Sequence, residues 1–68
     1  MPNPVHKKVE VVGTSSKSFS DAADNAIKKA AKTLDHLEWF EVEQMSGRIG
    51  DGKVTQYQVT MKIGFRLN

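Results

Sequence analysis

The only tryptophan of the chain, Trp39, lies in the segment HLEWFEVE, where a helical pattern of apolar residues changes to a strand pattern. An indole ring offers a broad, flat surface on which a planar ligand can stack. Gln58 carries an amide that both donates and accepts hydrogen bonds, and Arg66 carries a guanidinium that only donates them. A stacking ring combined with an amide suits recognition of the edge of a planar ligand. Whether these residues act together depends on the elements that carry them.

The segment Val54–Leu67 has the clearest pattern in the chain and carries both Gln58 and Arg66. From residue 57 onward its odd positions are apolar and its even positions are polar, apart from Gly64. Such an alternation predicts a strand with one apolar and one polar face. We therefore expect Gln58 and Arg66 on the polar face, and the odd residues packed against a helix.

A second strand is predicted over Trp39–Ile49. Phe40 and Val42 have the spacing of core residues, so Trp39, one position earlier, should point to the opposite face. The alternation of apolar and polar residues shifts by one position over residues 43–45, which predicts a β-bulge. The sequence GDGK at residues 50–53 predicts an Asp-Gly hairpin turn. Counting outward from this turn places Gln58 opposite residue 45, so it need not adjoin Trp39 within one subunit; a subunit contact is another place where they can meet.

The remaining segments predict one more strand and one helix. Residues 5–14 alternate and are rich in β-branched residues, as is typical of a strand. Ser18, with Asp21 three residues later, has the spacing of a helix capping box. Lysines late in the helix could form a basic stripe for nucleic acid, but a solvated helix face is the simpler interpretation. The apolar stripe that defines the helix recurs at helical spacing and comprises Phe19, Ala22, Ala23, Ala26, Ile27, Ala30, Ala31, Leu34 and Leu37.

These elements predict an α+β fold in a single domain spanning residues 1–68, with the order β-α-β-β. One helix would cover one face of a three-stranded antiparallel sheet. A chain of 68 residues without cysteine cannot be stapled by disulfides, and its two histidines lack the spacing of metal ligands. Oligomerisation is the remaining way to stabilise so small a core.

Composition restricts the possible functions. The net charge of +2 is too small and too dispersed to indicate nucleic-acid binding. No apolar run is long enough to cross a membrane, and the N-terminal MPNPVHKK lacks the apolar core of a signal peptide, so we expect a cytoplasmic protein. An exposed tryptophan on the polar face has two interpretations. Trp39 anchors a subunit interface, where aromatic residues are common, or it stacks on a planar ligand.

The segments KKVEVVGTSSKSF, AIKKAAKTLDHLEWFEV and YQVTMKIGFRL resemble the dodecin family of small flavin-binding proteins. The likeness extends over about residues 5–67, and the order and spacing of V-G-T-S, W-F-E-V, Y-Q-V and G-F-R-L are specific. The resemblance implies a β-α-β-β subunit whose sheet wraps around one helix, assembled into a hollow homododecamer. It also implies storage and buffering of FMN or riboflavin, stacked in pairs between tryptophans at subunit contacts, with quenching of flavin photochemistry.

The resemblance assigns the site residue by residue. Trp39 would stack on the flavin, and Gln58 would hydrogen-bond the edge of the isoalloxazine ring. Glu38 would offer backbone contacts, and Arg66 would lie near the flavin tail. Many bacterial members have an arginine, placed to meet the ribityl phosphate, where this chain has Ser46. This departure leaves the choice between FMN and riboflavin open, because Arg66 or Arg48 could compensate.

Two other function classes compete with flavin storage. An enzyme would need a nucleophile with its base, a phosphate loop or metal ligands, and the sequence shows none of these patterns, so we expect no catalysis. A nucleic-acid-binding sheet would need several aromatic residues on its polar face. Only Trp39 qualifies, because Tyr57 and Phe65 have the spacing of core residues.

Overall fold

The structure of the protein is a computed structural model, and it describes residues 3–67. Its elements are β1 (Val5–Ser15), α1 (Phe19–Ala30), β2 (Leu37–Gly50) and β3 (Lys53–Leu67). The sheet order is β1-β3-β2 with both pairings antiparallel, so β3 is the central strand. The predicted β-α-β-β order and the three-stranded antiparallel sheet with one helix are confirmed.

The core lies between α1 and the odd side of β3. Val59, Met61 and Ile63 are at most 2% exposed, and they pack against Ala22 and Ala26 of the helix. The prediction that the odd residues of the last strand face the helix is therefore confirmed. Alanine on the helix allows close approach of helix and sheet, because its side chain is short.

Helix α1 begins at a polar cap, as predicted, but the cap is built differently from a capping box. The Ser18 hydroxyl accepts a hydrogen bond from the backbone N–H of Asp21 at 3.0 Å. The carboxylate of Asp21 accepts from the Ser15 hydroxyl at 2.7 Å rather than from the backbone of Ser18. Ser15 in turn accepts from the backbone N–H of Lys17. The end of β1 and the start of α1 are thus fastened together.

The helix is shorter than the apolar stripe predicted. It ends at Ala30, so Leu34 lies in the following turn and Leu37 is the first residue of β2. Just before β2, His36 has a left-handed φ of 62°, which is incompatible with a helix that continues into Leu37. Leu37 still packs against the core, but from its strand, so its helical spacing is coincidental.

The hairpin of β2 and β3 has the predicted turn and the predicted bulge. Asp51 and Gly52 have φ values of 52° and 73°, as a two-residue type I′ turn requires. The register shifts between Val42 and Gln44, leaving Glu43 as an extra residue. The register also shifts between Leu37 and Trp39, and again between Arg48 and Ile49 beside the turn. The shift near the turn places Ser46, rather than residue 45, opposite Gln58.

One expectation about the core is wrong for a single subunit. Phe40 and Val42 were expected in the core, but they are 49% and 48% exposed. The helix packs mainly on β1 and β3, so the apolar side of the edge strand β2 is left largely uncovered. Phe40, Val42 and Met45 border an open cavity of about 570 Å³ between this strand and α1. One helix of 12 residues is too short to cover strands of 14 and 15 residues.

Candidate functional site

Trp39 lies on the outer face of the sheet, opposite the helix. Its indole rests on Gly64, its partner in the register of β2 and β3. A β-carbon on Gly64 would lie 2.5 Å from Cη2 of the indole, and closer to two other ring carbons. Gly64 is one of the even-numbered residues of β3, which face away from the helix. The prediction that Trp39 points to the face opposite the helix is therefore confirmed. Glycine is needed here because only a bare backbone lets the ring lie against the strand.

Two neighbours hold the edges of the indole. Nε1 of Trp39 donates a hydrogen bond to Oε2 of Glu41 at 2.9 Å. The His6 ring meets the indole edge-on, with the ring centroids 5.3 Å apart and the ring planes 68° apart. The indole is thus supported from below and along its rim, while 38% of Trp39 remains exposed. A supported, partly exposed ring suits stacking better than a freely rotating one does.

The neighbours of Glu41 stabilise its ionised form. The hydrogen bond from the Trp39 indole, and then the Lys8 ammonium, hold the pKa of Glu41 below its ordinary value. Nζ of Lys8 lies 3.2 and 3.3 Å from the two carboxylate oxygens. The carboxylate, ionised at neutral pH like any glutamate, keeps its charge further into the acid range and acts as a charged acceptor for the indole N–H.

A polar group borders the tryptophan at this end of the sheet. Glu38 is the extra residue at the register shift before Trp39, and its carboxylate lies 2.7 Å from Nε2 of His6. Nη1 of Arg66 lies 3.8 Å from the other oxygen of Glu38, and Nη2 lies 3.4 Å from Nδ1 of His36. The backbone N–H of Arg66 also donates to the carbonyl of His36 at 3.1 Å. The structure thus brings Glu38, Trp39 and Arg66 together.

Gln58 and Ser46 form a separate group. The Ser46 hydroxyl donates to Oε1 of Gln58 at 3.2 Å, and Nε2 of Gln58 donates to Oε1 of Gln56 at 3.0 Å. Gln58 lies six residues along β3 from Gly64, and at ~3.3 Å per residue this is about 20 Å from the tryptophan. One subunit therefore holds the Trp39 ring and the Gln58 amide at two distant places.

Comparison with known proteins identifies the family. The sequence model of the Dodecin family matches residues 5–68. The dodecin of Thermus thermophilus is 51% identical over 63 residues, which are 93% of this chain and 91% of that protein. The chain belongs to the dodecin family. The solved dodecin of Streptomyces coelicolor superposes with a TM-score of 0.96 at 47% identity, covering 100% of this chain and 97% of that one. The dodecin of Streptomyces davaonensis gives 0.95 at 42% identity, with 98% of each chain covered.

Sequence reasoning missed two residues that this member of the dodecin family places against its tryptophan. Neither His6 nor Glu41 was predicted to belong to the site. Two features could have indicated these residues: the alternation of side chains along a strand, and the pairing of neighbouring strands. Glu41 has the parity of Trp39, and His6 pairs with Arg66 across β1 and β3, next to the strand position beneath the indole.

Other kinds of site find no support in the part of the dodecin chain that the structure describes. Within residues 3–67 no three His, Cys, Asp or Glu side chains cluster closely enough to hold a metal ion. Nor is any helix in that range long and apolar enough to cross a membrane.

Proposed function

We propose that this protein is a non-catalytic, cytoplasmic flavin-binding protein that stores and buffers FMN or riboflavin. The observation that carries the proposal is the setting of Trp39. Its indole lies flat on Gly64, fastened by Glu41 and bordered by His6, with part of the ring open to solvent. Such a ring is a prepared stacking surface. Membership of the dodecin family, whose members are known for binding flavins, supports a flavin as the ligand, and the lack of cysteine fits a reducing compartment.

The separation of Trp39 from Gln58 supports a site shared between subunits. About 20 Å is too far for one tricyclic ring to touch both residues of one chain. A second copy that brings its Gln58 to the first copy's Trp39 completes the site. In the proposed homododecamer, two such tryptophans enclose a pair of flavins at each subunit contact.

The uncovered side of β2 supports assembly independently. Four apolar side chains on this strand are between 48% and 78% exposed in one subunit: Phe40, Val42, Met45 and Ile49. Exposed apolar residues concentrated on one strand mark an interaction surface. A small domain with so much of its apolar side chain in water gains stability when copies cover one another.

The chemistry of the site favours protection over turnover. Indole is readily oxidised, so Trp39 in contact with a light-excited flavin would donate an electron to it, and the rapid return of that electron would leave both rings in their ground states. Gln58 and the backbone near Glu38 would fix the ring edge, and Arg66 the polar tail. A flavin enclosed between an indole and a second flavin leaves no open face for a substrate.

The proposal is tested by titrating the apoprotein into riboflavin and FMN while following flavin fluorescence. We expect near-complete quenching that saturates at one flavin per subunit. Trp39→Ala should abolish both binding and quenching. Trp39→Phe is the matched control, because phenyl stacks but is much harder to oxidise: it should bind more weakly and leave the bound flavin fluorescent. Parent-like quenching by Trp39→Ala, or no quenching by the parent, would disprove the proposal.

A further inference from the structure

The amide of Gln58 is held before any ligand arrives. Its Oε1 accepts from the Ser46 hydroxyl at 3.2 Å, and its Nε2 donates to Oε1 of Gln56 at 3.0 Å. Ser46 and Gln58 are paired directly across β2 and β3, and both are half-buried. The row Gln56, Gln58 and Ser46 is uncharged, and its hydrogen bonds run in one direction.

We propose that Ser46 is a positioning residue that fixes the amide of Gln58 so that it recognises one ligand class, planar rings with an imide edge. This inference rests on the proposed flavin-binding function and extends it to the choice of ring. An imide edge carries an N–H between two carbonyl groups, so it presents a donor beside an acceptor.

The hydrogen-bond inventory of Gln58 leads to this class. A glutamine amide has two N–H donors and an oxygen that accepts two hydrogen bonds. Gln56 takes one donor and Ser46 takes one acceptor position. One N–H and one lone pair therefore remain for a ligand, and together they are complementary to the C=O and N–H of an imide edge.

Holding the amide in advance also favours affinity. A free glutamine side chain must give up its rotamer freedom when it binds a ligand, whereas a side chain already fastened at both ends of its amide loses less. Without Ser46 the amide can rotate about its terminal bond, and the oxygen and nitrogen can exchange places. The free N–H and the free lone pair of Gln58 would then face the matching groups of the imide edge only part of the time.

The test measures dissociation constants for riboflavin, FMN and N3-methylriboflavin, in which a methyl group blocks the imide donor. The parent should bind N3-methylriboflavin at least about tenfold more weakly than riboflavin. Ser46→Ala should weaken riboflavin and FMN by the same factor, about 2- to 10-fold for one hydrogen bond. Ser46→Ala should also reduce the ratio between the dissociation constants of N3-methylriboflavin and riboflavin. Ser46→Thr keeps the hydroxyl in a residue that strands favour, and it should restore both properties.

A double-mutant cycle separates positioning from a merely structural role. If Ser46 acts through Gln58, then Ser46→Ala should have no further effect in a Gln58→Ala background. A loss confined to FMN would mean that Ser46 contacts the phosphate tail, and it would overturn the inference. So would an unchanged affinity, an unchanged discrimination, or a full effect without Gln58. A parent that binds no flavin would instead refute the proposed function itself.

Discussion

Gly64→Ala should displace the indole of Trp39 while leaving the core intact. The new β-carbon would lie 2.5 Å from Cη2 of the ring, whereas unstrained carbon atoms stay about 3.5–4.0 Å apart. The ring must therefore lift or tilt by about 1 Å. The core on the other side of the sheet is untouched, since Ile63 and Phe65 point to the helix and Gly64 does not.

The expected effect on binding follows from the stacking energy. Aromatic stacking contributes about 0.5–1.5 kcal/mol beyond the burial of area. Losing it lowers affinity by about 2- to 13-fold. The free energy of unfolding should change by less than about 1 kcal/mol, because replacing glycine restricts the unfolded chain and offsets the lost contact of the ring.

The assay is the flavin quenching titration, with near-ultraviolet circular dichroism of the apoprotein to report the surroundings of Trp39. Thr60→Ala is the control, because it changes the same strand and face four residues from Gly64. It should leave both signals as in the parent. Parent-like affinity and an unchanged tryptophan signal in Gly64→Ala would refute the argument that the bare backbone of Gly64 holds the ring.

Three further predictions concern the support of the site and the core. Glu41→Gln should remove an acid-dependent change in the near-ultraviolet signal of Trp39. Because the folded-state pKa of Glu41 is lowered, its contribution is complete above the ordinary value of about 4.5 and is lost as the pH falls through the folded value; a parent signal that stays constant until acid unfolds the protein would contradict this. Met61→Ala should reduce the free energy of unfolding by about 2–5 kcal/mol, because Met61 is fully buried; urea denaturation at fixed protein concentration measures it, and a loss below about 1 kcal/mol would contradict the prediction. Gly13→Ala should reduce it by about 1–3 kcal/mol in the same assay, since the new β-carbon would lie 2.9 Å from that of Ala26 and collide with the carbonyl of Ala22; unchanged stability would show that β1 and α1 can separate freely.

The fold was largely predictable because each element has its own local signal. The alternation of β3 set the direction of Met61 and Ile63, and the Asp-Gly pair set the hairpin. The end of the helix was not predictable from periodicity, because Leu37 satisfies the helical spacing and yet reaches the core from a strand. The helix has already ended at Ala30, and the left-handed φ of His36, which has no periodic signature, precedes the start of β2.

The candidate site was predictable only in part, for a related reason. Parity alone placed Trp39 on the outer face, because a strand exposes alternate residues whatever its partners are. It could not show that Glu41 and His6 fasten the indole, since these contacts depend on side-chain rotamers and on a register set by shifts in β2. Parity also placed Phe40 and Val42 on the core side, but whether a core covers them depends on the length of the helix.

Under the proposed function, contact with a second copy would complete both the core next to β2 and the ligand site. One subunit leaves the apolar side of β2 in water, and it holds Trp39 and Gln58 about 20 Å apart. A neighbouring copy that covered β2 and brought in its own Gln58 would resolve both. A ligand that binds only the assembled form stabilises that form by mass action. On this reasoning flavin binding and assembly are thermodynamically coupled, because the complete site would exist only where two copies meet.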